Sequence, residues 1–168
     1  MIYTKMTNKA LCIAYEAHKD QVDKAGIPYI FHPIHLAEQM KDEISVCVAL
    51  LHDVVEDTPV TIEELEKEFP KEVVEAVRIL SREEGTDYFE YIRKVAQHPV
   101  ARKVKMADLE HNSDETRMAG YENQSGVREQ ILKRREKYEK ARRILEASQK
   151  NEDYSTDKDE ILRKMERK

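Results

Sequence analysis

The sequence predicts an all-α fold, a single helical bundle. Three observations carry that expectation. Only four Gly and five Pro interrupt 168 residues, and 38% of the chain is charged, a composition that favours soluble helices. Apolar residues recur at three- and four-residue spacing in one segment after another. No segment alternates apolar and polar residues as a half-buried strand would.

The elements follow in order. Leu11, Ala14, Tyr15 and His18 share one face of a helix from Thr7 to Lys19, which turns His18 inward. Ala25-Gly26-Ile27-Pro28 breaks the chain. Pro33 suits a first helical position, opening a helix through Ile34, Leu36, Ala37 and Met40. Glu43 to Leu51 is apolar nearly all round, the mark of a central buried helix. Thr61 and Glu64 form a capping box for a helix over Glu63 to Phe69. Pro70 starts the next, through Val73, Val74, Val77 and Leu80. Asp87-Tyr88-Phe89-Glu90 caps a helix to about Gln97, and Pro99 opens one with Val100, Val104 and Ala107 inside. A charged helix runs from Gln130 to about Ala147 with Ile131, Tyr138, Ile144 and Leu145. The polar stretch Lys150 to Ser155 reads as loose, and Asp157 to Arg167 as a short terminal helix. Residues 1–125 are expected to be the core. Residues 126–168 are expected to be an extension that packs on it or on a neighbouring subunit of a homodimer.

This length suits one domain with a real core. A net charge of −5 gives no global basic surface for nucleic acid. An anionic ligand must then be held by a local basic cluster or a metal. No apolar run reaches the ~20 residues of a membrane span. Met1-Ile2-Tyr3-Thr4-Lys5 lacks a signal-peptide core, so the cytoplasm is the expected compartment. Cys12 and Cys47 sit in apolar stretches and are expected to be buried free thiols.

The chemistry concentrates in Leu51-His52-Asp53-Val54-Val55-Glu56-Asp57-Thr58. Buried charge is costly unless paired or bound to metal, and this doublet ends the most apolar segment of the chain. His32 stands at a loop-to-helix junction, and Asp108 follows Val104, Met106 and Ala107. Two imidazoles and two carboxylates make a mixed nitrogen and oxygen set that suits Mn²⁺, Fe²⁺ or Zn²⁺. Taken alone, each could equally be a satisfied core residue. Glu56 and Asp57 could handle a water, or could simply be an acidic helix end. Arg102, Lys103 and Lys105 crowd the approach to Asp108 and could equally be a solvated face.

His32, His52-Asp53 and Asp108 resemble the metal signature of the HD-domain phosphohydrolases. More narrowly, the chain is similar over roughly residues 7 to 117 to the hydrolase domain of RelA/SpoT-type alarmone enzymes. The matching stretches are Ala17-His18…Gln21…Lys24 to Pro33, Ala49 to Thr58, and Val104 to Asp108 with His111-Asn112. The resemblance implies a divalent metal, usually Mn²⁺, on His32, His52, Asp53 and Asp108. It implies that Glu56 and Asp57 orient or deprotonate a water. It also implies that the water hydrolyses the 3′-pyrophosphate of a guanosine alarmone. By the same resemblance Lys24, Arg82 and Asn112 would bind the substrate, and Lys105, from the basic run beside Asp108, is expected to join them. His18 and His111 match no ligand position and are candidates only to support the ligands, and Tyr29 is expected to pack and shape the pocket wall. His35 and His98 match no ligand position.

The match departs at recognition positions. Asp23 stands where the family carries a base-stacking Arg, Leu109 replaces a basic residue after the third motif, and Val100 ends a stretch that elsewhere reads Asp-x-Arg. Chemistry is therefore better specified than substrate. Another phosphorylated nucleotide, NADPH, or nucleotide binding without turnover are the alternatives.

Overall fold

A helix with no polar side must be surrounded. Glu43–Leu51 is that helix, and Ser45, Val46, Cys47, Val48, Ala49, Leu50 and Leu51 are all buried. It is the axis of the bundle in the computed structural model, which describes residues 1–114 and 127–166. The elements are α1 (Lys5–His18), α2 (Phe31–Gln39), α3 (Glu43–Leu51), α4 (Val54–Asp57), α5 (Ile62–Glu68), α6 (Lys71–Leu80), α7 (Tyr88–Ala96), α8 (Pro99–Ser113) and α9 (Val127–Glu166). Helices α1, α2, α6 and α8 pack on α3, and α9 lies along α7 and α8. Among the described residues there is no strand; Val22 and Pro28 form a lone antiparallel bridge. Leu36, Leu50, Leu51, Leu65, Ile92 and Leu109 are fully buried. Burial of each such side chain stabilises by about 1.5–3 kcal/mol.

The helix starts are chemically explicit. The Thr61 hydroxyl accepts from Glu64 N–H, and the Glu64 carboxylate accepts from Thr61 N–H. Asp87 caps Phe89 and Glu90. Pro99 opens α8 behind His98, whose Nδ1 accepts from Ala101 N–H at 3.3 Å.

Asp42 caps α3, accepting from Ser45 N–H at 2.8 Å and from Lys103 Nζ of α8 at 2.9 Å. Asp42→Ala is expected to cost about 1 kcal/mol, mostly the lost cap. The half-exposed pair with Lys103 adds little. Burial opposes charge on Asp42, but Lys103 and Ser45 win and hold its carboxyl below the ordinary value. A lowered folded-state pKa gives stability that is present above the unfolded value of about 3.9 and lost as pH falls through the folded value. Urea titrations should therefore show the wild-type advantage at pH 7 shrinking as pH falls below the ordinary carboxylate value. A gap independent of pH would remove the electrostatic account.

The structure corrects five expectations. Tyr15 is 55% exposed, because Ala10, Ala14 and His18 are the residues of α1 that turn inward. Cys12 is exposed on the same outer face, while Cys47 is buried. Helix α2 begins at Phe31, so Pro33 occupies its first turn instead of opening it. A short helix, α4, carries Glu56 and Asp57. Helix α9 runs unbroken through the polar stretch after Lys150, where a loose segment was expected. Arg167, at the end of the expected terminal helix, lies outside the described residues.

Helix α9 is seated on the bundle by buried Ala141 and Leu145. The Ser148 hydroxyl donates to Ala96 O at 3.0 Å. Arg102 is buried beneath, donating to Ala96 O and pairing with Glu152.

Candidate metal centre

His52 is the C-cap residue of α3, so burial of that helix carries the imidazole inside with it. Its Nδ1 lies 2.8 Å from Ala49 O, a carbonyl that can only accept. Nδ1 therefore holds the proton and Nε2 presents its lone pair. Asp53 follows with φ −102 and ψ −5, the bend that separates α3 from α4. Its Oδ2 lies 2.8 Å from His52 Nε2. His32, in the first turn of α2, brings its Nε2 within 3.3 Å of His52 Nε2 and 3.8 Å of Asp53 Oδ2. One donor atom from each of His32, His52 and Asp53 fits within 4.8 Å of the others, a group that could hold a metal ion. From α8, Asp108 Oδ1 comes within 3.2 Å of His32 Nε2.

This donor set fits a divalent cation. Two imidazole nitrogens face each other, one with its tautomer fixed by a backbone carbonyl, and carboxylate oxygens close the ring around them. An outer layer orients the set. The Tyr29 hydroxyl donates to Asp53 Oδ2, so this residue does more than shape a wall. His32 Nδ1 meets His111 Nδ1 at 2.7 Å, and His111 stacks in turn on His35 with centroids 4.2 Å apart. Lys105 Nζ pairs with Asp108 Oδ2 at 2.7 Å, and Asn112 Nδ2 donates to Asp108 Oδ1.

A proton and a cation compete for the Nε2 lone pair of His52, and the same carboxylates favour both. Burial works against charge on His52, but Asp53, with Asp108 behind it, raises the imidazole to about 9. Burial lowers His32, outweighing the pull of Asp108. Burial also opposes charge on Asp53, yet His52 and the Tyr29 hydrogen bond hold its carboxyl at about 2. Asp108 lies well below the carboxylate range, because Lys105, His32 and His52 outweigh its burial.

The acid pair sits beside this cluster on α4. Glu56 Oε2 accepts from Arg82 N–H at 3.0 Å, which ties α4 to the end of α6. Asp57 is raised above the usual carboxylate value by burial, then by Asp53 and Glu56.

The basic residues separate by role. Arg102 is structural, and Lys103 belongs to the α3 cap. Lys105 faces the centre. Arg82 approaches the ring of Tyr88 at 6.0 Å. Lys24 lines clefts that it shares with Arg134.

Two residues of α9 that no motif singled out complete this side. Arg134 lies over Tyr138 at 5.2 Å and donates to Asn112 Oδ1 at 3.3 Å. Lys137 stands over Tyr88 at 3.8 Å. Burial, then the charges of Arg82, Lys105 and Arg134, lower the Lys137 ammonium. Mutual repulsion of that kind marks a cluster of cations suited to a polyanion. The only sequence sign of it was the Arg134–Tyr138 pair, four residues apart on one helix face.

Of the departures noted above, Leu109 is buried in the core. Asp23 lines a cleft with Lys24, Tyr29, His32, Asn112 and Arg134, and a second acid, Asp114, lines it too. Asp23 Oδ1 accepts from Ala25 N–H at 2.8 Å and Ile27 N–H at 3.0 Å, closing the loop around Gly26. Gly26 has φ 78, where a side chain would strain the turn.

An HD-domain family profile matches residues 10–112, which spans every residue of the His–Asp cluster. The chain belongs to the HD-domain family. Among its relatives is the bifunctional (p)ppGpp synthase/hydrolase SpoT of Escherichia coli, 38% identical over 107 residues. That match covers 61% of this chain and 15% of the relative. Another is a guanosine-3′,5′-bis(diphosphate) 3′-pyrophosphohydrolase of Aquifex aeolicus, 33% identical over 112 residues, with 60% and 16% covered. The chain thus spans under a fifth of the length of these curated relatives. A solved structure of a metazoan SpoT ortholog, described as hydrolysing ppGpp, superposes with a TM-score of 0.68 at 24% identity. It covers 88% of this HD-domain chain and 87% of its own, and it supports the helical fold. No helix of the described residues is long and apolar enough to cross a membrane.

Proposed function

We propose that this HD-domain protein is a metal-dependent pyrophosphohydrolase acting on guanosine 3′,5′-bis(diphosphate) or a close analogue. The observation that carries the reading is the juxtaposition of the His32–His52–Asp53–Asp108 cluster with two further carboxylates and a cationic wall. A divalent cation on those four residues, Mn²⁺ by preference, would supply Lewis acidity to a water and to a phosphoryl oxygen. The residues around it divide the remaining work. Asp57, with its proton affinity raised, accepts a proton from the attacking water. Glu56, held by Arg82 N–H, orients that water. The new bond joins the water oxygen to the phosphorus on the ribose 3′ oxygen. The bond from that phosphorus to O3′ breaks, pyrophosphate leaves, and O3′ regains a proton.

Arg82, Lys105, Arg134 and Lys137, with Lys24 at the cleft, counter the substrate's charge, and Asn112 offers a neutral hydrogen bond. The relatives' names favour the guanosine alarmone.

A second reading, a phosphatase for another nucleotide or for NADPH, is favoured by the acids Asp23 and Asp114 on the cleft wall. Neither can stack on a base as a guanidinium does. One screen separates the two. The Mn²⁺-loaded protein is offered guanosine tetraphosphate, common nucleotides and NADPH, and the product anion is identified. Pyrophosphate from guanosine tetraphosphate is the expected result. Orthophosphate from another compound would transfer the assignment to the second reading. No turnover of any of them would leave a binding domain.

A further inference from the structure

His18 lies outside the metal cluster, at the last turn of α1, and is 1% exposed. Its Nδ1 is 2.8 Å from Gln21 Oε1, and its Nε2 is buried and meets no hydrogen-bond partner among the described residues. The protonation pattern of this ring can be derived. Gln21 Nε2 donates at 3.0 Å to Asp57 O, a carbonyl that can only accept. The amide end facing Asp57 must therefore be the NH₂, and the end facing His18 must be the oxygen. An amide oxygen cannot donate, so His18 Nδ1 carries the proton. In the neutral ring Nε2 is then a bare lone pair, sealed from bulk solvent. A buried acceptor left unmatched costs about 1–3 kcal/mol. Such atoms in native proteins usually hold an ordered water.

The surroundings tie this atom to the site. The ring of His18 lies 4.9 Å from that of Tyr29, whose hydroxyl donates to Asp53. Tyr29 also contacts His32, with centroids 5.5 Å apart. Gln21 bridges His18 to the backbone of Asp57 itself, and His18 acts electrostatically on the Asp57 carboxyl.

We propose that His18 is a positioning residue: its Nε2 accepts a hydrogen bond from a water molecule that links the ring to the Asp57 carboxylate. The Gln21 bridge fixes the backbone of Asp57, and the water fixes its side chain. Together they hold the carboxylate where it can take a proton. The inference rests on the hydrolase reading for its kinetic consequence, but not for the hydrogen bond.

Two measurements test it. Long-range ¹H–¹⁵N correlation of the histidine side chains in the full chain reads the tautomer. A proton on Nδ1 and a hydrogen-bonded, unprotonated Nε2 are expected; a proton on Nε2 overturns the proposal. The second is kinetic. His18→Phe keeps a ring against Tyr29 and removes both nitrogens. With Mn²⁺ and guanosine tetraphosphate, kcat should fall about 10- to 100-fold, the scale of a misplaced reacting group. KM and Mn²⁺ affinity should hold. His18→Gln, whose amide oxygen reaches toward the Nε2 position, should recover most of the loss. A His18→Phe kcat within about twofold of wild type overturns the role, since a purely structural histidine would change stability and leave kcat alone. If the Phe variant fails to fold, a His18→Gln kcat no better than that of His18→Ala does the same. A wild-type protein with no turnover at all sinks the hydrolase reading, and the tautomer measurement still decides the hydrogen bond.

Discussion

Asp53→Ala is expected to lose metal and turnover together. Its Oδ2 faces His52 Nε2 at 2.8 Å and His32 Nε2 at 3.8 Å, so removing it opens the ring of donors. Loss of an outer partner of a metal ligand costs roughly 10- to 100-fold in affinity or activity. Loss of the ligand itself should exceed that, taking activity down by about 10³-fold or more. The fold should survive. Without the Asp53 carboxylate, His52 loses the strongest of the partners that raise its basicity and keeps its hydrogen bond to Ala49 O. The Tyr29 hydroxyl, left without its acceptor, costs about 1–3 kcal/mol. Titration calorimetry with Mn²⁺ and circular dichroism separate the two effects. Metal-dependent turnover retained by a folded Asp53→Ala protein would remove Asp53 from the ligand set.

Asp57→Asn should keep the metal and lose the reaction, with kcat down about 10²- to 10⁴-fold, the range for a general base. The pH profile adds a sign. Burial, Asp53 and Glu56 raise the Asp57 carboxyl. The basic form therefore appears at a higher pH than for an ordinary carboxylate, and the acid limb of kcat should lie correspondingly high. Asp57→Asn should abolish that limb. Glu56→Gln should be milder, because an amide oxygen can still accept from Arg82 N–H. Equal losses in the two variants, or an acid limb that persists without Asp57, would reassign the base.

What could be read in the sequence depended on how local the determining physics is. Helix α3 was legible because a nine-residue segment apolar except at Glu43 and Ser45 leaves no polar side to face water. The starts at Thr61, Asp87 and Pro99 were legible because capping is written within four residues. Helix α4 was not, since a four-residue turn has no period to detect. The polar length of α9 read as loose because helix propensity is a weak guide in a highly charged segment.

The site divides along the same line. His32, the His52-Asp53 doublet and Asp108 lie inside recognisable stretches, and the structure brings them together. The Tyr29 hydroxyl on Asp53, the Gln21 bridge and the arrival of Lys137 over Tyr88 depend on contacts across the fold. None of them has a signature along the chain. Asp23 shows the converse: its charge was legible, while its use in closing the Gly26 loop was not.

The placement of Arg134 and Lys137 has an evolutionary corollary. The His–Asp cluster is set into the interior packing of α2, α3 and α8, where a change of volume or charge is felt by the whole bundle. The two cations ride on α9, whose Lys137 and Lys140 lie over the rings of Tyr88 and Phe89 on α7. Substitution of Arg134 or Lys137 can redraw the charge offered to a polyanion while leaving Ala141 and Leu145, the buried residues of the same helix, in place. The proposed metal centre and the selection of its ligand can therefore drift at different rates.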